Sequence, residues 1–125
     1  MSSNPQIPPI VQEQLAKLQQ TQQNFQSILM QKQQLESQKL ETEKALEELK
    51  KASDYEAVFK QAGTIMIKSN KKDLLEELEE QMELAKTKAS LLAKQEERLK
   101  ATLQEQETKI QEMMKGPSTS TKQSK

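Results

Sequence analysis

The sequence contains no His, no Cys and no Trp, and its 125 residues include two Gly, four Pro, one Tyr and two Phe. Each shortage removes a class of function. His is the side chain best suited to proton transfer near neutral pH, and Cys is the strongest ordinary nucleophile. Soft-metal sites lose their usual ligands with the same two residues, so neither a metal nor any other cofactor is expected. An active site built from carboxylates alone needs a partly dry pocket to shift its pKa values. With three aromatic residues and 33% hydrophobic content, little is present to wall such a pocket. The expectation is a protein that is not an enzyme.

Charge of one sign is also missing. Lys and Arg number 19, Asp and Glu number 19, and no basic surplus is available to meet nucleic-acid phosphates. No apolar run approaches the roughly 20 residues that span a bilayer. The first residues lack both the basic and the apolar regions of a signal peptide, and with no Cys from which to read a redox compartment the cytoplasm is the default expectation. An amphipathic membrane-surface helix concentrates Lys and Arg on one face, whereas here both signs are interspersed.

What is present is helix former. Charged residues make up 30%, and Glu, Lys, Gln, Leu and Ala dominate, the composition of long exposed helices or coiled coils. Disorder is the competing reading of so polar a chain, and regular leucine spacing argues against it. Residues 1–9 form a short flexible tail ending in Pro8-Pro9, well placed for a helix start. The spacing predicts a first helix over 10–52 and a second over 71–115. Gly116 and Pro117 supply the stop, and residues 116–125 are expected to be a disordered tail.

The second run carries the cleaner repeat. Leu75, Leu78, Met82, Ala85, Ala89, Leu92, Glu96, Leu99, Leu103, Gln106, Ile110 and Met113 alternate steps of three and four, and ten of the twelve are apolar. The first run is looser. Leu18, Thr21, Phe25, Ile28, Lys32, Leu35, Lys39, Thr42, Leu46 and Leu49 keep the rhythm, with Leu15, Leu29 and Leu40 beside it. Lys32 and Lys39 interrupt this seam, although a long Lys stem covers apolar surface while its head reaches water.

Between the runs the chemistry changes. Val58 and Phe59 precede Gly63, and Ile65, Met66 and Ile67 follow it in a segment that reads as alternating outward polar and inward apolar character. Two short β-prone segments about a Gly predict a β-hairpin at about 56–69. Asn70, with Asp73 three residues on, resembles a helix cap, a role that Ser69 could also fill. Two helices of near-equal length, each about 65 Å at 1.5 Å per residue, can then lie antiparallel seam to seam. The expected fold is mainly α: a long antiparallel two-helix coiled coil with both termini at one end and the hairpin at the other.

A lone hairpin is marginal in water, and its open apolar edges invite other chains. The inference is that hairpins from several chains join in a larger sheet or barrel; a helical linker with chance apolar content is the alternative. Near the termini lie Val11, Leu15, Leu18, Leu103, Ile110, Met113 and Met114. These either close the end of the coiled coil or meet a partner, and Met114, off the seam, better suits the second role.

From Gln6 to Lys115 the chain resembles the archaeal-like β-type subunits of the prefoldin family. The likeness rests on Ile7-Pro8-Pro9, on the Gln-rich stretch from Gln31 to Leu35, and above all on the segment from Val58 through Gly63 to Lys68. A middle long enough for one hairpin matches the β class, since the α class carries two. The resemblance implies an ATP-independent chaperone: a hexamer of two α-type and four β-type subunits whose coiled coils hang from a double β-barrel body. It implies that Val58, Phe59, Ile65, Met66 and Ile67 build the intersubunit barrel. It further implies that Val11, Leu15, Leu18, Ile110, Met113 and Met114 form tips that hold non-native client proteins for a group II chaperonin. The rival reading is a structural coiled-coil homodimer acting as a tether or spacer, which requires continuous helix through residues 54–70.

Overall fold

The computed structural model describes residues 7–115; the two tails expected at 1–9 and 116–125 fall wholly or largely outside them, as does the Gly116-Pro117 stop. In chain order the elements are α1 (Pro9–Lys51), β1 (Val58–Ala62), β2 (Ile65–Ser69) and α2 (Lys71–Lys115). The first helix thus begins and ends one residue earlier than the spacing predicts, and the hairpin strands replace the continuous helix that a simple tether requires.

Local chemistry sets each boundary. Pro9 opens α1, where its missing N–H costs no helical bond, and the Pro8 carbonyl accepts from the Gln12 amide at 3.0 Å. At the other end the Ala52 amide turns to the Leu49 carbonyl at 3.2 Å, a tightened last turn. Ser53 and Glu56 then close a turn on each other. The Glu56 amide donates to the Ser53 carbonyl (3.2 Å), and the Ser53 amide donates to Glu56 Oε1 (3.1 Å). Asn70 is the cap of α2: its Oδ1 accepts from the Asp73 amide at 2.9 Å while its Nδ2 donates to Asp73 Oδ2 at 3.0 Å.

The chain divides into two compact units. One comprises residues 31–92: the second half of α1, the hairpin and the first half of α2. In it Leu35 and Thr42 line a groove with Ala85 and Lys88, and Ala45 and Leu49 line another with Leu74 and Leu78. Numbers rise along one helix as they fall along the other, so the pairing is antiparallel. The second unit, as far as described, holds residues 7–30 and 93–115, where Asn24 and Ile28 meet a groove shared with Gln95 and Leu99.

Burial follows the heptad rhythm. All ten predicted seam positions of α1 and all twelve of α2 are buried or half-buried. Lys32 and Lys39 are among the half-buried, while Leu40, off the rhythm, is 54% exposed. The seam of α1 also extends backward in phase through Gln14 and Val11, at 8% and 2% exposure. Polar seam residues are accommodated by local bonding: the Thr21 hydroxyl donates to the Lys17 carbonyl at 3.0 Å. Gln106 Oε1, by contrast, is buried without a hydrogen-bond partner.

Candidate functional site

The hairpin is the first candidate. β1 and β2 pair antiparallel, Val58 opposite Ser69, Phe59 opposite Lys68, Lys60 opposite Ile67, Gln61 opposite Met66 and Ala62 opposite Ile65. That register leaves a two-residue loop, Gly63-Thr64. Gly63 has φ +62° and no non-Gly residue among those described has positive φ, which is the signature of a type II′ turn with Gly in its first central position. Among the described residues the sheet has two strands, and each strand has one edge unpaired by them.

Opposed residues share a face, so the register sorts the side chains. Val58, Lys60, Ala62, Ile65, Ile67 and Ser69 lie on one face; Phe59, Gln61, Met66 and Lys68 lie on the other. This corrects the outward-polar, inward-apolar alternation expected for residues 64–69. Ile65 and Ile67 do share a face, but Met66 puts apolar surface on the opposite one. Exposure follows: Phe59 52%, Ile65 58%, Met66 64% and Ile67 47%, with Val58 half-buried. For large apolar side chains on a strand pair these values mark surface without its cover.

Two lysines tie the elements of this unit together, one joining the hairpin to α2 and one joining α2 to the end of α1. Lys60 of β1 forms an ion pair and hydrogen bond with Glu77 of α2. Lys71, the first residue of α2, donates to the carbonyls of Ala52 (2.8 Å) and Lys50 (3.4 Å) at the end of α1. Its ammonium also lies 3.7 Å from Asp54 Oδ1. The α1 terminus, with its unsatisfied carbonyls and negative dipole end, is a natural acceptor for that cation. A groove of about 480 Å³ runs between the hairpin and the helices, lined by Leu49, Ala52, Val58, Phe59, Leu74 and Leu78, among others. Neither lysine contact was visible in the sequence pattern, because each joins residues 17 or more positions apart.

The second candidate lies in the unit holding the helix ends. Val11, at 2% exposure, is packed within the seam, and Leu18, Ile110 and Met113 are half-buried on it. Leu15 is 39% and Met114 62% exposed. Ile7, noted above only within the Ile7-Pro8-Pro9 entry, and Ile10, not named there, are 40% and 57% exposed. They precede the periodic run, which is why heptad spacing gave no signal for them. Among the described residues no group of three or more Asp or Glu is arranged to hold a metal ion, and no helix is long and apolar enough to cross a membrane.

Comparison with known proteins completes this picture. The family model described as "Prefoldin subunit" matches residues 12–116. The prefoldin subunit beta of Methanococcoides burtonii is 44% identical over 110 residues, covering 88% of this chain and 91% of that protein. That of Archaeoglobus fulgidus is 38% identical over 109 residues, covering 87% and 94%. The crystal structure of the prefoldin beta subunit from Thermococcus strain KS-1 matches with a TM-score of 0.76 at 34% identity, covering 90% of this chain and 98% of that one.

Proposed function

The chain belongs to the prefoldin family as a β-type chaperone subunit, and from that premise we propose that it holds non-native proteins without ATP and passes them to a group II chaperonin. The single observation that carries the assembly half of this reading is the hairpin: two strands, two open edges, and apolar side chains exposed on both faces. An isolated hairpin of this kind gains stability by sharing a sheet with others. In the proposed complex, two α-type and four β-type subunits join their strands in a common barrel through Val58, Phe59, Ile65, Met66 and Ile67.

Client capture is assigned to the helix ends. Leu15 and Met114, with Ile7 and Ile10 beside them in the chain order of the same unit, are the accessible apolar contacts. Val11, Leu18, Ile110 and Met113 are buried or half-buried on the seam and join the contact only if the helix ends separate around a client. Each subunit offers little apolar area, so holding relies on several subunits acting at once, and avidity multiplies weak contacts. Binding the unfolded state preferentially keeps it from aggregating, and no bond-breaking chemistry is needed. The work is done in the cytoplasm, where unfolded chains and the chaperonin meet.

The test is an ATP-free aggregation assay. A chemically denatured client is diluted into buffer holding the complex of this chain with an α-type prefoldin subunit. The Leu15→Ser, Met114→Ser double variant is expected to assemble normally and to suppress aggregation several-fold less well, since avidity amplifies each lost contact. Full suppression by that variant would remove the helix ends from the mechanism.

A further inference from the structure

The ten strand residues carry two cations, Lys60 and Lys68, and no anion. The two are answered differently. Lys60 finds Glu77 within its own chain. Lys68 stands on the other face, opposite Phe59 and beside Met66 and Gln61, none of which is charged. Four carboxylates that flank the strands in sequence are engaged elsewhere: Asp54 with Lys71, Glu56 with the Ser53 amide, Asp73 in the Asn70 cap and Glu77 with Lys60. Among the described residues no ion pair reaches Lys68.

We propose that Lys68 selects the partner that covers this face, favouring an acidic strand of a different subunit over a second copy of this chain. The inference rests on the assembly reading above and deepens it. Phe59 and Met66, 52% and 64% exposed, leave apolar surface on this face for assembly to cover, with Phe59 also lining the groove toward Leu49 and Leu74. Covering a cation among apolar neighbours without a counter-charge is unfavourable. A second copy packed on the same face about a two-fold axis brings its own Lys68 into the same small patch, and like charges placed across strands repel. A strand carrying Asp or Glu at that place turns the penalty into an attraction. Specificity then comes as much from rejecting the self-pair as from accepting the other subunit.

The experiment uses the full chain as wild type, Lys68→Arg, Lys68→Gln and Lys68→Glu, alone and with a purified α-type prefoldin subunit, at low and high salt. Assembly is followed by light scattering, and circular dichroism checks that helix content is unchanged. Lys68→Arg should match wild type. Lys68→Glu should weaken association with the α-type subunit by about fivefold or more. Lys68→Gln should flatten the salt dependence of that association and strengthen self-association of the chain alone. A Lys68→Glu chain that binds the α-type subunit as wild type does, or a Lys68→Gln chain whose self-association is unchanged, overturns the inference. If the mixed complex forms and Phe59→Asp disperses it while the Lys68 series does nothing, this inference alone fails. If wild type forms no mixed complex at all, the assembly reading fails with it.

Discussion

Lys71, the first residue of α2, reaches back nineteen positions to donate a 2.8 Å hydrogen bond to the carbonyl of Ala52, just past the end of α1. A single ammonium thereby caps the end of one helix at the start of the other. Its side chain is 20% exposed, which keeps water from replacing it freely. Lys71→Met should cost about 1.5–3 kcal/mol, the range for a charge-assisted hydrogen bond, and Lys71→Arg should recover part of it. Thermal unfolding followed by circular dichroism checks both. Equal stability for Met and Lys would mean that the contact contributes nothing.

Asn70 and Asp73 hold the start of α2 by reciprocal bonds. Asn70→Ala should destabilise the chain by about 1 kcal/mol, whereas Asn70→Ser should lose much less, because either oxygen can accept from the Asp73 amide. The same unfolding measurement separates the two.

Gly63 tests the turn by itself. A Cβ added there meets nothing within 4 Å, so any penalty comes from the backbone at φ +62° and not from crowding. Gly63→Val should cost about 1–2 kcal/mol, and Gly63→Asn should cost less, since Asn tolerates the left-handed region better. The hairpin register should loosen in the Val variant, read as faster amide exchange at residues 58–62 and 65–69.

The seam is tested by contrast. Leu49 is 8% exposed and Leu40 54% exposed on the same helix. Leu49→Ala should cost about 2–4 kcal/mol, and Leu40→Ala should stay within about 0.5 kcal/mol. Comparable losses at the two positions would mean that the heptad assignment is wrong.

Much of this fold is legible in the sequence because a heptad repeat is a one-dimensional signal. Leu75 to Met113 needs no knowledge of the partner helix to be read as a seam. Lys32 and Lys39 could be kept on the seam of α1 because their long stems allow half-burial. Gln14 disguised the seam's continuation to Val11, since a polar residue at an apolar position breaks the pattern to the eye but not to the helix. The hairpin's existence followed from Gly63 and its β-prone flanks. The distribution of its side chains did not, because Ile65, Met66 and Ile67 are consecutive and apolar, and period two then assigns no inside. Register settles that by opposing Met66 to Gln61 and Ile67 to Lys60. Lys60 with Glu77 and Lys71 with Ala52 were illegible for a different reason: they depend on where separate elements meet, which local pattern does not encode.

The central claim is that the hairpin, not the helix pair, holds the chain in its assembly. The most direct measurement is the mass by light scattering of the chain mixed with an α-type prefoldin subunit, for wild type, Phe59→Asp and Ile67→Asp. These two residues lie on opposite faces of the sheet, 52% and 47% exposed, and because Phe59 also lines the groove with Leu49 and Leu74, circular dichroism separates any loss of fold from loss of assembly. A hexamer from wild type that both substitutions disperse, with helix content retained, is the predicted result. A mass indifferent to both substitutions would contradict it and leave the helix pair as the interface.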